Sequence, residues 1–138
     1  MKLRTLSATL LIASLTLVAC DNTPTAEAQN QQISQGEKVF ETNCQECHGV
    51  KGRGVVKDWQ KPGADGKYPA PPLNGTAHTW HHDTKTLLGT INRGGIPLGG
   101  TMPSFKDTLT DEQKNSVLVY IQSLWPEDIY KAWKERNG

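Results

Sequence analysis

The pentapeptide Cys44-Gln45-Glu46-Cys47-His48 contains two of the three cysteines of this 138-residue chain. Residues three and four positions apart share one face of a helical turn, so the two thiols and the imidazole are expected to point to the same side. Such a face can form two thioether bonds to the edge of a porphyrin while the imidazole reaches the iron. The C-x-x-C-H pattern is accordingly the signature of c-type haem attachment, and it predicts one haem c bound covalently through Cys44 and Cys47.

Two other kinds of site use closely spaced cysteines, and both fit the chain less well. A thioredoxin-like dithiol requires a βαβ context that the sequence does not show, and it would leave His48 without a role. A structural zinc site requires four ligands, and the chain has no second cysteine pair to supply them. Haem attachment is the interpretation that uses all three side chains.

Met102 is the candidate for a second axial ligand of the iron. A thioether ligand is typical of electron carriers because it raises the reduction potential. The chain has only two methionines, and Met1 belongs to an N-terminal segment that we expect to be removed. Met102 lies in Gly99-Gly100-Thr101-Met102-Pro103-Ser104-Phe105, whose glycines and proline indicate a loop and not an amphipathic helix. A packing role gives little reason for such surroundings, so we expect His48 and Met102 to ligate the iron.

Residues 1–19 have the organisation of a secretory signal peptide. Lys2 and Arg4 precede an apolar run over residues 10–19, as in the n-region and h-region of such signals. A retained membrane helix is the weaker interpretation, because the run is shorter than the roughly 20 residues that span a bilayer. The sequence therefore predicts export and loss of these residues from the mature protein.

The tetrapeptide Leu17-Val18-Ala19-Cys20 resembles the lipobox of bacterial lipoproteins. This resemblance implies that the signal is removed before Cys20 and that lipid chains on Cys20 hold the protein at the periplasmic side of a bacterial membrane. Asp21 resembles an inner-membrane retention signal. Residues 20–32 contain no aromatic residue and no apolar periodicity, so we expect them to be a flexible tether.

The composition predicts one small soluble domain. The chain is 36% hydrophobic and 21% charged, and its length excludes a multidomain enzyme. A net charge of +1 without a long block of one sign excludes nucleic-acid binding that depends on strong positive charge. Thirteen glycines and eight prolines predict long ordered loops between few helices.

Capping signals predict an all-α domain over residues 33–138. Ser34 and Glu37 read as a capping box, which predicts a helix from about Gln35 into the Cys44–Cys47 turn. Three further helices are predicted in the same way: residues 84–93 between Asp83 and Gly94, a helix that opens at the Thr110 and Gln113 capping box, and an extension over residues 127–136 after Pro126. The irregular segment 49–82 is too long for a compact domain unless a bound group organises it.

With these motifs, residues 33–126 resemble class I cytochrome c domains, in particular the single-haem bacterial ones. The matching features are Gly36 and Phe40 against Val117 and Tyr120 where the terminal helices of the family meet, the haem site Cys44–His48, the proline loop over residues 71–75 and the methionine loop over residues 102–105. The resemblance implies an all-α fold around one haem and single-electron transfer between redox proteins, without a small-molecule substrate. It also implies that the carbonyl of Pro71, or of Pro72 if the register differs by one, accepts a hydrogen bond from His48.

Two other functions remain open at this point. A small haem peroxidase or a gas or redox sensor would keep Met102 off the iron and leave one coordination position free. A fixed haem subunit of a larger oxidoreductase complex would be bound through the tail that follows Trp125. Free shuttling of electrons between membrane-bound partners is the interpretation that the resemblance favours.

Aromatic and histidine side chains of the long loop are further candidates for contact with the haem. Trp59, Tyr68 and Trp80 have amphipathic rings that could cover the porphyrin, and Trp80 is the first candidate. The remaining three histidines, His78, His81 and His82, could form a second metal site or supply a rival axial ligand. Loop histidines are more often solvated, so we expect no metal there.

The loop from Lys51 to Lys67 is basic. It holds five basic residues (Lys51, Arg53, Lys57, Lys61, Lys67) and two acidic ones (Asp58, Asp65), a local charge of +3. If this loop borders an exposed haem edge, it would steer an acidic redox partner toward it.

Overall fold

The computed structural model describes residues 25–137, and this part of the protein is helical. The five α-helices are α1 (Ala26–Asn43), α2 (Gln45–His48), α3 (Thr84–Arg93), α4 (Asp111–Ser123) and α5 (Glu127–Asn137), with single 3-10 turns at Val50–Gly52, Thr79–His81 and Ile96–Leu98. Between residues 25 and 137, extended pairing is limited to an isolated bridge of Tyr68 with Gly100. The predicted all-α class is confirmed.

Helix α1 begins nine residues earlier than the sequence predicted. Its N-cap is Thr25, whose hydroxyl oxygen accepts a hydrogen bond of 3.2 Å from the amide of Ala28. The capping role predicted for Ser34 is therefore wrong, because Ser34 lies inside the helix. Residues 26–32 are mostly Ala, Glu and Gln, which have high helix propensity, so a helix that is already nucleated by packing extends through them at little cost.

This result also changes the predicted tether. Residues 26–32, which the sequence assigned to a flexible coil, form the first two turns of α1. The predicted signal peptide (residues 1–19), Cys20 and the first residues of the tether lie outside the described residues.

The packing of α1 against α4 organises the core. The backbone of Gly36 lies so close to α4 that a Cβ atom at this position would overlap the carbonyl oxygen of Ser116 and stand 2.8 Å from Cβ of Tyr120. One turn later Phe40 is fully buried, and its ring centroid lies 5.4 Å from that of Tyr120. Burial of a phenylalanine contributes about 1.5–3 kcal/mol. The predicted contact between the two helices is confirmed.

The predicted boundaries of α3 and the predicted start of α4 are confirmed by their caps. The carboxylate of Asp83 accepts a hydrogen bond of 2.7 Å from the amide of Thr86, and α3 ends at Gly94, which has a φ of 76°. Both bonds of the α4 capping box are present: Thr110 Oγ1 accepts from the amide of Gln113 at 3.2 Å, and Gln113 Oε1 accepts from the amide of Thr110 at 2.9 Å. Helix α3 carries the wall of the site described below, and α4 carries both the wall and the contact with α1.

Helix α5 follows Pro126 and packs back on the domain. Its Trp133 is buried, and the indole nitrogen donates a hydrogen bond of 2.8 Å to the carbonyl of His82. The predicted extension over residues 127–136 is thus a helix whose aromatic side chain belongs to the core. Of the helices between residues 25 and 137, none has both the length and the apolarity to cross a lipid bilayer.

Substitution of Gly36 tests the α1–α4 contact. We expect Gly36→Ala to lower the free energy of unfolding by about 3 kcal/mol, because the added methyl group overlaps a backbone carbonyl that cannot move without separating the helices. Urea denaturation of the purified protein measures this change.

Gly63→Ala is the matched control, since the nearest atom to its new methyl group is a carboxylate oxygen of the exposed Asp65 at 3.1 Å, and no backbone atom overlaps it. Equal denaturation midpoints for the two variants would contradict the role assigned to Gly36.

Candidate haem-binding site

A large cavity of about 710 Å³ lies between α1–α4 and the loops that connect them. Its apolar wall is formed mainly by α3, α4 and the segment between them (Leu87, Ile91, Phe105, Leu109, Val117, Leu118, Ile121). Cofactor pockets measure roughly 300–1,000 Å³, whereas the voids of close-packed interiors seldom exceed a water molecule. The cavity is therefore of the size and polarity expected for a prosthetic group.

Cys44, Cys47 and His48 all line this cavity. The amides of Cys47 and His48 both donate to the carbonyl of Cys44, at 3.2 and 2.9 Å, so one helical turn carries all three side chains. The His48 side chain is buried, Cys44 is half-buried and Cys47 is exposed. This arrangement places an imidazole inside the cavity and a thiol at its rim.

His48 is oriented by the proline loop. Its Nδ1 lies 2.8 Å from the carbonyl oxygen of Pro71, and since a carbonyl only accepts, Nδ1 carries the proton and Nε2 keeps its lone pair. Between the two prolines that the resemblance allowed, the structure places Pro71 in this contact. Burial lowers the pKa of His48, and the bond to Pro71 opposes that shift only in part, so the ring is neutral at neutral pH, as a metal ligand must be.

The thiol of Cys44 differs from that of a redox dithiol. Burial, helped by the nearby Cys47, raises the pKa of Cys44 to about 11. Reactive thiols have a lowered pKa, produced by positive charge or a helix N-terminus. The surroundings of Cys44 therefore disfavour the thioredoxin-like alternative.

Met102 lines the same cavity and is held by the end of α3. The amide of Gly95 donates to the Met102 carbonyl at 2.9 Å, and the amide of Phe105 donates to the carbonyl of Ile91 at 3.0 Å. Ser104 Oγ donates to the carbonyl of Asn92 at 2.5 Å. Met102 thus lies on a loop that is fixed at both ends.

Lys114 extends this support to α4, although the sequence pattern gives it no functional role. It is only 5% exposed, and its Nζ donates to Asn92 Oδ1 at 2.9 Å and pairs with Asp111 at 2.8 Å. The hydrogen bond from Lys114 lowers the pKa of Asp111. The pair with Asp111 is common on exposed helix surfaces, and the partner that ties Lys114 to the methionine loop, Asn92, is distant in the chain.

The three aromatic candidates divide between the cavity and the opposite side of the loop. Trp59 and Tyr68 line the cavity, whereas Trp80 does not. The guanidinium of Arg136 lies 5.2 Å from the centroid of the Trp80 ring and also donates to the Trp80 carbonyl at 2.8 Å. Trp80 thus contacts α5 and not the cavity, so the structure gives the predicted cover of the porphyrin by Trp80 no support.

The histidine cluster is likewise divided. His78 and His82 line the cavity, with ring centroids 5.9 Å apart, and His78 also lies 5.3 Å from the Trp59 ring. Desolvation, followed by the charges of His82 and His81, lowers the pKa of His78. Among residues 25–137, no group of three or more His, Cys, Asp or Glu side chains could hold a metal ion, so a second metal site finds no support there.

These residues fit haem c. The site offers two thiols three residues apart, a neutral imidazole with its free nitrogen available, and a thioether on a supported loop, all in one apolar cavity. Thioether formation requires the thiols, and iron accepts both the imidazole and the thioether as ligands. Among the residues that the sequence proposed for haem contact, Trp80 and His81 lie away from the cavity.

Comparison with known proteins places these features in a family. The family "Cytochrome C oxidase, cbb3-type, subunit III" matches residues 31–121. The cbb3-type cytochrome c oxidase subunit FixP of Sinorhizobium medicae (strain WSM419) is 34% identical over 107 residues, which cover 72% of this chain and 33% of the relative. Subunit CcoP of Azospirillum sp. (strain B510) is 31% identical over 93 residues, which cover 67% of this chain and 29% of the relative.

A similar segment also occurs in a different kind of protein. One of the subunits of nicotinate dehydrogenase from Pseudomonas putida (strain KT2440) is 30% identical over 107 residues, covering 74% of this chain and 8% of the relative. The chain thus spans about a third of the oxidase subunits that it matches and a much smaller share of the dehydrogenase relative. No solved structure matches the chain significantly.

Proposed function

The chain belongs to the cbb3-type cytochrome c oxidase subunit III family, and on that premise we propose that it is the single-haem electron-transfer subunit of a larger membrane oxidoreductase. It is a c-type cytochrome domain, which carries electrons and does not itself catalyse a reaction. Haem c, when bound, supplies an iron centre that takes up and releases one electron at a time. The chain's own residues hold that group, exclude water from it and set its ligands.

The observation that carries this proposal is the convergence of four side chains on one apolar cavity. Cys44 and Cys47 would attach the haem, His48 would ligate the iron through Nε2, and Met102 would supply the second ligand. With both ligands in place no coordination position remains for peroxide or a gas, which argues against the peroxidase and sensor alternatives. The supported methionine loop favours a ligand that stays bound in both oxidation states.

The comparisons favour a fixed subunit over a free shuttle. The oxidase relatives are named as subunits, and so is the dehydrogenase relative. We therefore replace the interpretation as a freely moving carrier by that of a subunit. An assembly of the oxidase type is preferred over a dehydrogenase, because the matching family is an oxidase subunit family.

Substitution of three of the four residues tests the haem site. We expect Cys44→Ala together with Cys47→Ala to abolish covalent haem, measured as haem stain that survives denaturing electrophoresis.

Met102→Ala should keep covalent haem but lose the weak far-red band of the ferric iron–thioether bond. A Met102→Ala spectrum identical to that of the unaltered protein would exclude Met102 as a ligand, and colourless protein from cells competent in cytochrome c maturation would refute the whole proposal.

The mass of the native assembly tests the subunit role. Membranes solubilised in mild detergent should contain the haem-stained chain in a band that also holds larger subunits, because a fixed subunit is not released by detergent. The same chain produced in large excess provides the unassembled control. Migration of all the native protein with that control would favour the free carrier.

The basic loop supports an acidic redox partner. Trp59 and Gln60 of this loop, and Tyr68 directly after it, line the cavity, so the charged loop borders the site. Tyr68, Ile96 and Leu98 are 47%, 62% and 80% exposed, which leaves apolar surface beside those charges. An apolar centre with a basic border is complementary to a docking surface with acidic residues at its rim.

Charge reversal tests this steering. We expect Lys51→Glu with Lys57→Glu to slow oxidation of the ferrous protein by anionic hexacyanoferrate(III) about tenfold at low salt, because the local potential changes sign. Cationic tris(phenanthroline)cobalt(III) should react faster with the same variant. Lys131→Glu with Lys134→Glu is the control, since α5 does not line the cavity, and equal rates for the two variants would remove the hypothesis.

Lipid attachment at Cys20 is the proposed means of membrane association. It is supported by the segment Leu17-Val18-Ala19-Cys20 and the signal-like residues before it. We expect Cys20→Ser to release the exported protein into the soluble fraction after a high-salt wash, while the unaltered protein stays in the membrane. Asp21 favours the inner membrane, which density-gradient separation of the two membranes would test. Incorporation of labelled fatty acid into Cys20→Ser would show that the lipid lies elsewhere.

A further inference from the structure

We propose that Trp125 is a positioning residue for His48, acting through the backbone of the proline loop. The inference rests on the proposed function, in which His48 ligates the haem iron. Trp125 is buried and does not line the cavity, so its influence on the site is indirect.

The contacts form a continuous path from Trp125 to the imidazole. The indole nitrogen of Trp125 donates a hydrogen bond of 2.8 Å to the carbonyl of Leu73. Two residues earlier, the carbonyl of Pro71 accepts the bond of 2.8 Å from His48. Trp125 therefore holds the segment that presents the acceptor to the ligand.

The backbone between these two carbonyls is stiff. The ring of Pro72 restricts its own φ, and Pro71 is restricted further because it precedes a proline. Rotation about φ of Pro72 therefore cannot absorb a displacement of Leu73, which favours its transmission to the Pro71 carbonyl. Two prolines in succession make this connection more rigid than an ordinary loop.

The segment is held from the other side as well. The amides of Leu73 and Asn74 donate to the carbonyl of Gly52 at 2.7 and 3.2 Å. Beyond them, a Cβ atom on Gly75 would stand 2.8 Å from Cδ of Pro126. The loop is thus fixed between the 3-10 turn after His48 and the junction of α4 with α5.

Trp125 and Pro126, which support the proline loop from one side, lie outside the segment that matches the family. The match ends at residue 121, four residues before Trp125. The junction and α5 therefore provide a feature of this chain that the family match does not describe.

The expected consequence is a change in the reduction potential of the haem iron. A hydrogen bond from Nδ1 makes the imidazole a stronger donor and fixes its orientation. A stronger donor stabilises the ferric state, so loss of the Trp125 bond, which weakens the contact of His48 with Pro71, should raise the reduction potential.

A matched pair of substitutions tests this. Trp125→Phe and Trp133→Phe each remove one indole hydrogen bond of 2.8 Å from a similarly buried ring, the first to Leu73 and the second to His82. We expect both haem-loaded variants to unfold at a lower denaturant concentration, but only Trp125→Phe to raise the midpoint potential and shift the His48 Nδ1 proton resonance of the ferrous protein. An unchanged potential in Trp125→Phe, or equal shifts in both variants, would overturn the proposal.

A measurement on the unaltered protein decides the matter if Trp125→Phe does not fold. The indole proton of Trp125 and the Nδ1 proton of His48 should show the same protection factor, each rate being compared with the intrinsic exchange rate of its own ring type, and the same dependence on denaturant, because one opening exposes both. A lower protection factor at Trp125 would overturn the proposal. Failure of the haem site itself would appear differently, as unaltered protein without covalent haem.

Discussion

The domain is built around an apolar cavity of about 710 Å³. A space of this size between helices is costly unless a group occupies it, because its lining loses contacts that a close-packed core would make. Direct packing between long helices is concentrated where α1 crosses α4 at Gly36 and Phe40. Helix α3 and the loops meet the rest of the domain largely around the cavity, which explains how a chain rich in glycine and proline can keep long loops in order.

Helices α3 and α4 form much of the wall of the cavity, and hydrogen bonds fix the two loops that complete it. The proline loop is joined to His48, Gly52 and Trp125, and the methionine loop is joined to the end of α3. In both cases a loop without regular secondary structure is restrained at several points. Rigid ligands require little rearrangement when the charge of a bound iron changes, and this suits electron transfer. Burial also favours the neutral state of His48, in which the imidazole can ligate iron.

The likeness to oxidase and dehydrogenase subunits shows one domain type joined to different partners. This is expected for a module whose task is to hold a redox group, since the specificity of the complex is set by surfaces around it. In this chain two such surfaces differ in character. Exposed side chains such as Tyr68 and Leu98 line the cavity, whereas the side behind the proline loop is covered by Trp125 and by Trp133 of α5.

Local signals in the sequence determined the haem attachment motif and the caps of α3 and α4, because each depends on neighbours within one or two helical turns. The residues by which α1 meets α4 followed from a pairing already known for the resembling family. The start of α1 was misjudged because its signal is also local: Ser34 and Glu37 have the spacing of a capping box whether or not the helix continues before them. Only the tertiary structure decided the positions of Trp80, Lys114 and Trp125. Their partners lie 22–56 residues away in the chain, and contacts over such separations are set by how the elements pack, which spacing alone does not reveal.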